Sequence, residues 1–421
     1  MKTGITRREF NTLMGLAMTL PLAPTLAATG DPKPFRLRTI TAGLRLGGTD
    51  ILGLAREALT FLEKSRKAYE EEGYEVQTLR MATQPLAEYL PDWKSAAAIE
   101  TLKLLDRFAV DNGLVISVGP VITGDRHDPD FPVWAAQMVR QTRNLSFSAR
   151  VASTEHGIHR QTARSAAEAI RAIAAAGSGG EGNFRFAATA FVPAGTPFFP
   201  AAWFTDSKTF SIGLESPNLL TAAFAKTDNM QQAASRLKAN MERALAPVAS
   251  RARALAKGTG WKYRGIDASP APGLDASIGK AIETLTGAPF GSPSTLAACA
   301  TITGVLKHLD IERAGYSGLM LPVLEDPVLA KRASEGRYGI YDLLLYSSVC
   351  GTGLDVVPLP GDTSAGALAA VITDVAALAH RYRKALSARL FPVPGKAAGE
   401  TVTFDNPYLT GTRVMSLGPT T

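Results

Sequence analysis

Short β-branched runs alternate with alanine-rich amphipathic stretches along most of the sequence, and this alternation limits the possible folds more than any other feature. Strands are predicted at residues 36–46, 74–82, 114–122, 145–152, 184–192, 209–214, 262–268 and 354–359. Helices are predicted at residues 50–72, 95–112, 131–142, 162–176, 219–257, 276–286, 296–305 and 363–390. Because most strands are followed by a helix, we expect a mostly parallel sheet, and closure is the simplest way for about ten strands to leave no edge. We predict a large α/β barrel formed by a single domain, residues 28–421.

The first 27 residues have the pattern of a twin-arginine export signal. Arg7 and Arg8 follow a threonine, and an uncharged apolar run, Leu13–Ala27, comes shortly after them and ends in small residues. We expect the translocation machinery to export the chain to the periplasm and the signal to be cleaved near Ala27. The alternative is a retained membrane anchor, although two prolines interrupt the helix that an anchor needs.

Composition excludes several classes of protein. Hydrophobic residues make up 46% and charged residues 20% of the chain, which is typical of a globular protein. The net charge is +7, but the lysines and arginines are scattered along helices and are not interleaved with aromatic residues, so no nucleic-acid partner is predicted. The sequence contains no dinucleotide fingerprint, P-loop or zinc motif, and the cofactor is left open.

One loop follows a predicted strand and contains two of the five histidines. Glu155 and His156 are candidates for a catalytic acid and base, because carboxylates and imidazoles transfer protons near neutral pH. The alternative reading is that they cap a helix and bond to water. His156 and His159 are also possible metal ligands, but their spacing suggests no third ligand, so no metal site is predicted.

A second loop, Pro197–Phe204, is rich in proline and aromatic residues. Such a segment either walls an apolar pocket or packs against the end of the barrel, and the sequence leaves both readings open.

Two further loops each open a helix and carry hydroxyl or carboxyl groups. Free amides at helix N-termini attract anions, so these loops are candidates for binding an anionic substrate, although such residues also cap helices everywhere. The candidates in these loops are Asp275, Ser292, Ser294 and Thr295.

A glycine-rich loop at residues 350–363 is the most distinctive of the set. Cys350 is a candidate nucleophile or proton donor, and packing is the alternative role for its thiol. The substrate-binding candidates in this loop are Gly353, Asp355, Asp362 and Thr363. Export would permit a disulfide between Cys299 and Cys350, but Cys299 lies in a predicted buried helix, so the pairing is left open.

Five phrases resemble one known family over nearly the whole chain. They are RTITAGLRL (38–46), PFFPAA (197–202), FSIGLESP (210–217), SPAPGLDASIG (269–279) and CGTGLDVVPLPGDT (350–363). These phrases resemble the family named for domain of unknown function 711. The resemblance implies a pyruvate formate-lyase-like fold, a ten-stranded α/β barrel made of two five-stranded halves, and it implies no assigned activity.

The same resemblance identifies two departures. Glycyl-radical members of that fold carry a radical glycine in a short C-terminal motif, and Gly418 stands two places too late to match it. The resemblance also implies a histidine at the position of Phe204, so this chain is expected to have altered or lost chemistry that depends on that histidine.

These observations together predict a periplasmic, non-radical enzyme that acts on a small polar or anionic metabolite. The alternative is a non-catalytic protein that binds such a molecule at the same barrel mouth. Alanine-rich helices leave a homo-oligomer possible.

Overall fold

The computed structural model describes residues 33–47 and 50–418; the predicted export signal lies outside them. The strands are β1 (Arg36–Leu44), β2 (Val76–Thr83), β3 (Val115–Ile122), β4 (Leu145–Ser153), β5 (Gly157–Ile158), β6 (Phe186–Ala190), β7 (Thr209–Glu215), β8 (Lys262–Pro270), β9 (Gly353–Pro360), β10 (Leu386–Val393), β11 (Thr401–Val402) and β12 (Thr412–Arg413). The helices are α1 (Ile51–Glu70), α2 (Ala96–Asp111), α3 (Phe131–Gln141), α4 (Arg160–Ala176), α5 (Pro217–Phe224), α6 (Met230–Thr259), α7 (Ile278–Thr286), α8 (Thr295–Lys307), α9 (Pro327–Ser334), α10 (Ile340–Ser347) and α11 (Ala365–Tyr382). In this part of the chain, no helix has the length and apolarity needed to cross a membrane.

Ten strands form one sheet, which confirms the predicted α/β class and the approximate strand number. The strand order is β8-β7-β1-β2-β3-β4-β6-β10-β9, and β5 pairs with β4. The strands from β1 to β6 along this order are parallel, as are β7 with β8 and β9 with β10. Along the main strand order the antiparallel junctions are β1 with β7 and β6 with β10, and the short β5 is also antiparallel to β4. Two sets of strands therefore run in opposite directions within the sheet.

The path of paired strands is open between β8 and β9, so a closed barrel is not confirmed. Residues 313–322, which we call the linking segment, pass between these two strands. The segment makes only one bridge to each: Ile266 of β8 pairs with Arg313, and Asp355 of β9 pairs with Pro322.

The sheet has an apolar face and a polar face. Successive side chains of a strand point to opposite faces. On β1, β2 and β4, residues such as Leu37, Met81 and Phe147 are fully buried in the main core with the apolar sides of the helices. The alternate positions are polar: Arg38, Thr41, Arg80, Ser148, Arg150, Ser211, Glu215, Asp267, Ser269, Asp355, Ser387 and Arg389. The helices thus cover the apolar face and leave the charged groups on the other side.

The Pro197–Phe204 loop, which we call the aromatic loop, packs on the polar face. The hydroxyl of Thr41 donates to the carbonyl of Pro197 at 3.0 Å, and the hydroxyl of Ser117 donates to the carbonyl of Ala202 at 2.7 Å. Phe198 packs with Tyr316 and Met320 of the linking segment in a separate apolar cluster. The loop therefore covers strands that would otherwise expose their inner hydroxyl groups.

Two predicted helices are wrong in extent. The predicted helix 363–390 ends at Tyr382, because Arg383 adopts a left-handed conformation with φ 51°, and β10 follows it. The predicted helix 219–257 is two helices, α5 and α6, and the side chain of Asn229 caps the second by accepting from the amide of Gln232. The missed strand β10 matters because it carries Arg389.

Candidate functional site

Charged side chains on the polar face form a continuous series of ion pairs, which we call the ion-pair chain. From the surface inward its members are Asp275, Arg36, Glu215, Arg38, Glu325, Arg389 and Asp355. Acids and arginines alternate, so every internal member has the opposite charge on both sides. Such pairing offsets the cost of removing these charges from water.

The outer end of the ion-pair chain is held by Arg36. Its terminal nitrogens bind both carboxylate oxygens of Asp275 at 2.7 Å, and its Nη1 also donates to Glu215 Oε1 at 2.7 Å. The hydrogen bond from Arg36 holds the pKa of Asp275 below its ordinary value. Asp275 is exposed whereas Glu215 is buried, so Arg36 joins the surface to the interior.

The inner end is held by Arg389 on β10. Its Nη1 donates to Asp355 Oδ1 at 2.7 Å and to Glu325 Oε1 at 3.0 Å, and its Nη2 donates to the carbonyl of Phe184. Burial raises the pKa of Asp355 despite the attraction of Arg389. Burial lowers the pKa of Arg389, but Asp355 and Glu325 outweigh it and leave that pKa above its ordinary value.

Arg80 on β2 lies beside the inner end of the ion-pair chain but is not part of it. Its Nε donates to the hydroxyl of Thr78 at 3.0 Å, and its guanidinium lies 5.1 Å from the centre of the Phe199 ring. Within residues 33–47 and 50–418, no carboxylate forms an ion pair with it. Burial and the neighbouring cations Arg38 and Arg389 lower the pKa of Arg80 to about 9, despite the nearby Glu325. Arg80 is thus a half-buried cation without a carboxylate of its own.

A cavity of about 240 Å³ opens at the outer end of the ion-pair chain. Its polar lining comes from Arg36, Arg38, Gln77, Glu215, Asp275, Glu325 and Tyr408, and its mouth from Pro272, Gly273, Leu274 and Pro407. Arg38 lies 5.3 Å from the centre of the Tyr408 ring. The cavity is slightly smaller than a typical drug-sized pocket and suits a small polar molecule.

Comparison with known proteins places these residues in a family. The family described as "Uncharacterised ACR (DUF711)" matches residues 32–406. The chain belongs to this family. It is 31% identical to a UPF0210 protein of Pyrobaculum islandicum, covering 83% of this chain and 82% of that protein. A UPF0210 protein of Syntrophobacter fumaroxidans is 29% identical, covering 79% of this chain and 77% of the relative. A third, from Methanococcoides burtonii, is 24% identical over 88% of each chain.

Two of the predicted site residues of this DUF711 member lie at the ends of the ion-pair chain. Asp275 is its outer end and Asp355 its inner end, although the sequence did not indicate that the two belong to one network. Gly353, at the start of β9, has φ +92°, and a Cβ there would lie 2.3 Å from the carbonyl oxygen of Ser387. Because Gly353 has no side chain, the backbones of β9 and β10 can approach closely here, and the glycine serves this contact rather than a ligand.

The other hydroxyl candidates do not line the cavity. Thr295 donates to the carbonyl of Ser292 at 2.8 Å and accepts from the amide of Gly291, so it stabilises the turn before α8. Ser294 is exposed in that turn. Thr363 donates to the carbonyl of Pro360 at 2.7 Å, and its neighbour Asp362 is exposed beyond β9.

Glu155 and His156 lie at the opposite edge of the sheet, after the carboxyl end of β4, and both are exposed. Hydrogen bonds from its own amide and from Ser153 hold the pKa of Glu155 below its ordinary value. Nearby, Arg150 lies 5.0 Å from the centre of the Trp203 ring. In the described part of the chain the Arg150 guanidinium donates no hydrogen bond, so this edge has a second arginine without an ion pair.

Cys350 is fully buried and both cysteines are free thiols. The amide of Cys350 donates to the carbonyl of Tyr346 at 2.7 Å, and its carbonyl accepts from the Lys384 ammonium at 2.8 Å. Burial raises the pKa of Cys299 and lowers that of Lys384. This environment fixes the start of β9 firmly and does not expose the Cys350 thiol.

Phe204 occupies the position at which the family resemblance implied a histidine. It is buried with Ala82 and Ala202, and its amide donates to the carbonyl of Thr83 at 2.9 Å. The side chain thus lies in a small apolar cluster that anchors the end of the aromatic loop.

Six charged residues of the site were missed by sequence reasoning: Arg36, Arg38, Arg80, Glu215, Glu325 and Arg389. Three of them, Arg38, Arg80 and Arg389, are arginines within strands whose neighbours are buried, and a charged residue at such a position was the signal available. For metals, the described residues contain no cluster of three or more histidines, cysteines or carboxylates that could hold an ion.

Proposed function

We propose that this protein binds a small anionic metabolite at the polar face, with Arg80 as its principal cationic partner. The observation that carries the proposal is that no carboxylate of the described residues pairs with Arg80, while Arg36, Arg38 and Arg389 each pair with at least two. A half-buried cation without a counterion is costly, and an incoming anion would remove that cost.

The chemistry of the site favours a carboxylate or phosphate ligand. A guanidinium is planar and donates two parallel hydrogen bonds, which match the paired oxygens of either group. Arg80 does not itself line the cavity, but its neighbours Arg38, Glu325 and Tyr408 do. Gln77 and Tyr408 would serve uncharged polar parts of a ligand that extends from Arg80 into the cavity.

Thermal unfolding in the presence of anions tests the proposal. The panel is sulfate, phosphate, succinate and citrate, each compared with chloride at equal ionic strength. A ligand at 100 times its Kd adds about 2.7 kcal/mol to the free energy of unfolding, which raises Tm by a few degrees in a chain of this size.

The matched variants are Arg80→Gln and Arg171→Gln, since Arg171 is exposed on α4, far from the polar face in the layering of the fold. We expect the first to lose the stabilisation and the second to keep it. Equal stabilisation of both variants, or none in the wild-type protein, would contradict the proposal.

A second candidate function is catalysis at the opposite edge of the sheet. It is favoured by the exposed pair Glu155 and His156 and by Arg150 beside Trp203, for which the described residues supply no ion pair. In this proposal Glu155 and His156 exchange protons with a substrate whose anionic group is bound by Arg150, and Cys350 serves as nucleophile or proton donor after a local opening. Turnover of a bound ligand that survives both Glu155→Gln and Cys350→Ala would remove it.

We also propose that the sheet is a barrel of the pyruvate formate-lyase type, with the linking segment as its closing element. Support comes from the two oppositely directed sets of strands and from the single bridges that residues 313–322 make to β8 and to β9. An experimental structure with continuous pairing from β8 through the segment to β9 is the expected result, and an open gap there would contradict closure.

Finally, we propose that residues 1–27 direct the chain to the periplasm. The support is the Arg7–Arg8 pair before an uncharged apolar run, together with a family match that begins at residue 32. Replacing both arginines by lysine should retain the precursor in the cytoplasmic fraction, whereas unchanged export would contradict a twin-arginine route.

A further inference from the structure

We propose that binding of an anion beside Arg80 is coupled to the uptake of a proton by Asp355, so that the site takes up the anion and a proton together. This inference rests on the proposed binding function and concerns the regulation of the same site. It begins with the way in which the two innermost carboxylates share one arginine.

A single nitrogen atom serves both Asp355 and Glu325. Arg389 Nη1 is 2.7 Å from Asp355 Oδ1 and 3.0 Å from Glu325 Oε1. The other terminal nitrogen of Arg389 donates to a backbone carbonyl, and its Nε is buried without a hydrogen-bond partner among the described residues. The two carboxylates therefore share the two N–H groups of one nitrogen on a single cation, and their negative charges repel each other at close range.

Among the inner acids of the ion-pair chain, Glu215, Glu325 and Asp355, the last has the fewest cationic partners within the described residues. Glu215 accepts from both Arg36 and Arg38, and Glu325 lies 3.7 Å from Arg38 in addition to its contact with Arg389. In the part of the chain that the structure describes, Asp355 pairs with Arg389 alone. A further negative charge in the site therefore destabilises the ionised form of Asp355 more than that of its neighbours.

Other titratable groups facing Asp355 do not supply a competing positive charge. Tyr316 of the linking segment donates its hydroxyl to Ser387 on β10 at 3.1 Å, and burial raises the pKa of this phenol, so it stays neutral. Arg80 on β2 is a neighbour of Glu325 and Arg389 rather than a partner of Asp355.

The ligand would engage Arg80, a cation near this group that has no carboxylate partner within residues 33–47 and 50–418, and it adds negative charge to a buried cluster. Burial already raises the pKa of Asp355 in the free protein, and the bound anion raises it further. The proton comes from solvent through the cavity, and it neutralises the Asp355 carboxylate without any bond being made to the ligand.

Isothermal titration calorimetry with sulfate tests the coupling, because sulfate carries no titrating proton near neutral pH. Titrations in pairs of buffers with different ionisation enthalpies give the number of protons taken up per sulfate. The number should approach one at pH values between the pKa of Asp355 in the free and in the bound protein, and it should fall to zero on either side.

Three outcomes separate the proposals. Sulfate binding with proton uptake that disappears in Asp355→Asn supports the coupling. Sulfate binding with no proton uptake at any pH overturns it and leaves the binding function intact. No binding of sulfate or of any other anion in the panel overturns both.

Two further variants guard against a folding defect in Asp355→Asn. Glu325→Gln removes the nearby negative charge, lowers the pKa of Asp355, and should move proton uptake to lower pH. Asp374→Asn changes an exposed carboxylate on α11 and should leave the uptake profile unchanged. Identical profiles for Glu325→Gln and the wild-type protein would contradict the assignment of the proton to Asp355.

Discussion

The buried carboxylate of Asp267 accepts a hydrogen bond from the amide of Tyr316 at 2.7 Å. It also accepts from the amides of Ser317 and Ser269 and from the Ser269 hydroxyl. Asp267 lies on the polar face of β8, and Tyr316 lies in the linking segment. The Asp267 carboxylate thus positions the backbone of the linking segment, which lies between β8 and β9 at the two ends of the strand order.

Replacing Asp267 by asparagine should destabilise the protein. The amide group of asparagine has one acceptor oxygen, so at least one buried backbone donor would be left without a partner. The expected loss in the free energy of unfolding is about 2 kcal/mol, measured by chemical denaturation. The exposed Asp374→Asn is the matched control, and a loss no larger than that of the control would show that the contact does not stabilise the segment.

A glycine substitution tests the close approach of β9 to β10. Gly353→Ala would place a methyl group 2.3 Å from the carbonyl oxygen of Ser387 at a positive φ, and we expect a loss of more than about 2 kcal/mol. Gly304 on α8 has no atom within 4 Å of the added methyl group, so Gly304→Ala should stabilise by about 0.5–1 kcal/mol. Similar melting temperatures for the two variants would contradict this contrast.

The pairing of Asp275 with Arg36 should contribute to stability only above acid pH. Arg36 lowers the pKa of Asp275 in the folded state, so the contribution is present above the unfolded pKa of about 3.9 and is lost as the pH falls through the folded pKa. Because Asp275 is largely exposed, the difference from Asp275→Asn should be below about 1 kcal/mol at neutral pH. Urea unfolding at neutral and acid pH measures it, and a difference that grows towards acid pH would show that the sign is wrong.

Both thiols should react slowly in the folded protein. Cys299 and Cys350 are fully buried. Burial also raises the pKa of Cys299, so its side chain stays in the protonated form, which is much less reactive than the thiolate. Reaction with a disulfide reagent should be about 100-fold slower in the native state than in urea, because it requires a local or global opening. Fast labelling of Cys350 alone would instead favour a chemical role for that residue.

Much of the architecture was predictable because it depends on local periodicity. The strand predicted at residues 262–268 is observed as Lys262–Pro270, and the helix predicted at 95–112 as Ala96–Asp111. The end of α11 was not predictable, since Arg383 adopts a left-handed conformation without the glycine that usually indicates one. The resulting error concealed β10 and its Arg389.

The candidate site was only partly predictable for a different reason. Asp275 and Asp355 stood out because each lies in a distinctive loop or strand start, and the structure places both in the ion-pair chain. Their partners are remote in sequence: Arg36 lies 239 residues from Asp275, and Arg389 lies 34 residues from Asp355. Pairing of this kind depends on strand order, which a single sequence does not reveal.

The antiparallel pairing of β1 with β7 determines which parts of the chain meet beside the cavity. It brings the first residue of β1, Arg36, against the final residue of β7, Glu215. A molecule held in the adjoining cavity would touch both the early and the late parts of the polypeptide, since Gln77 and Tyr408 line the same walls. A bound molecule would therefore contact residues from both halves of the chain, and neither half expressed alone would contain the complete binding site.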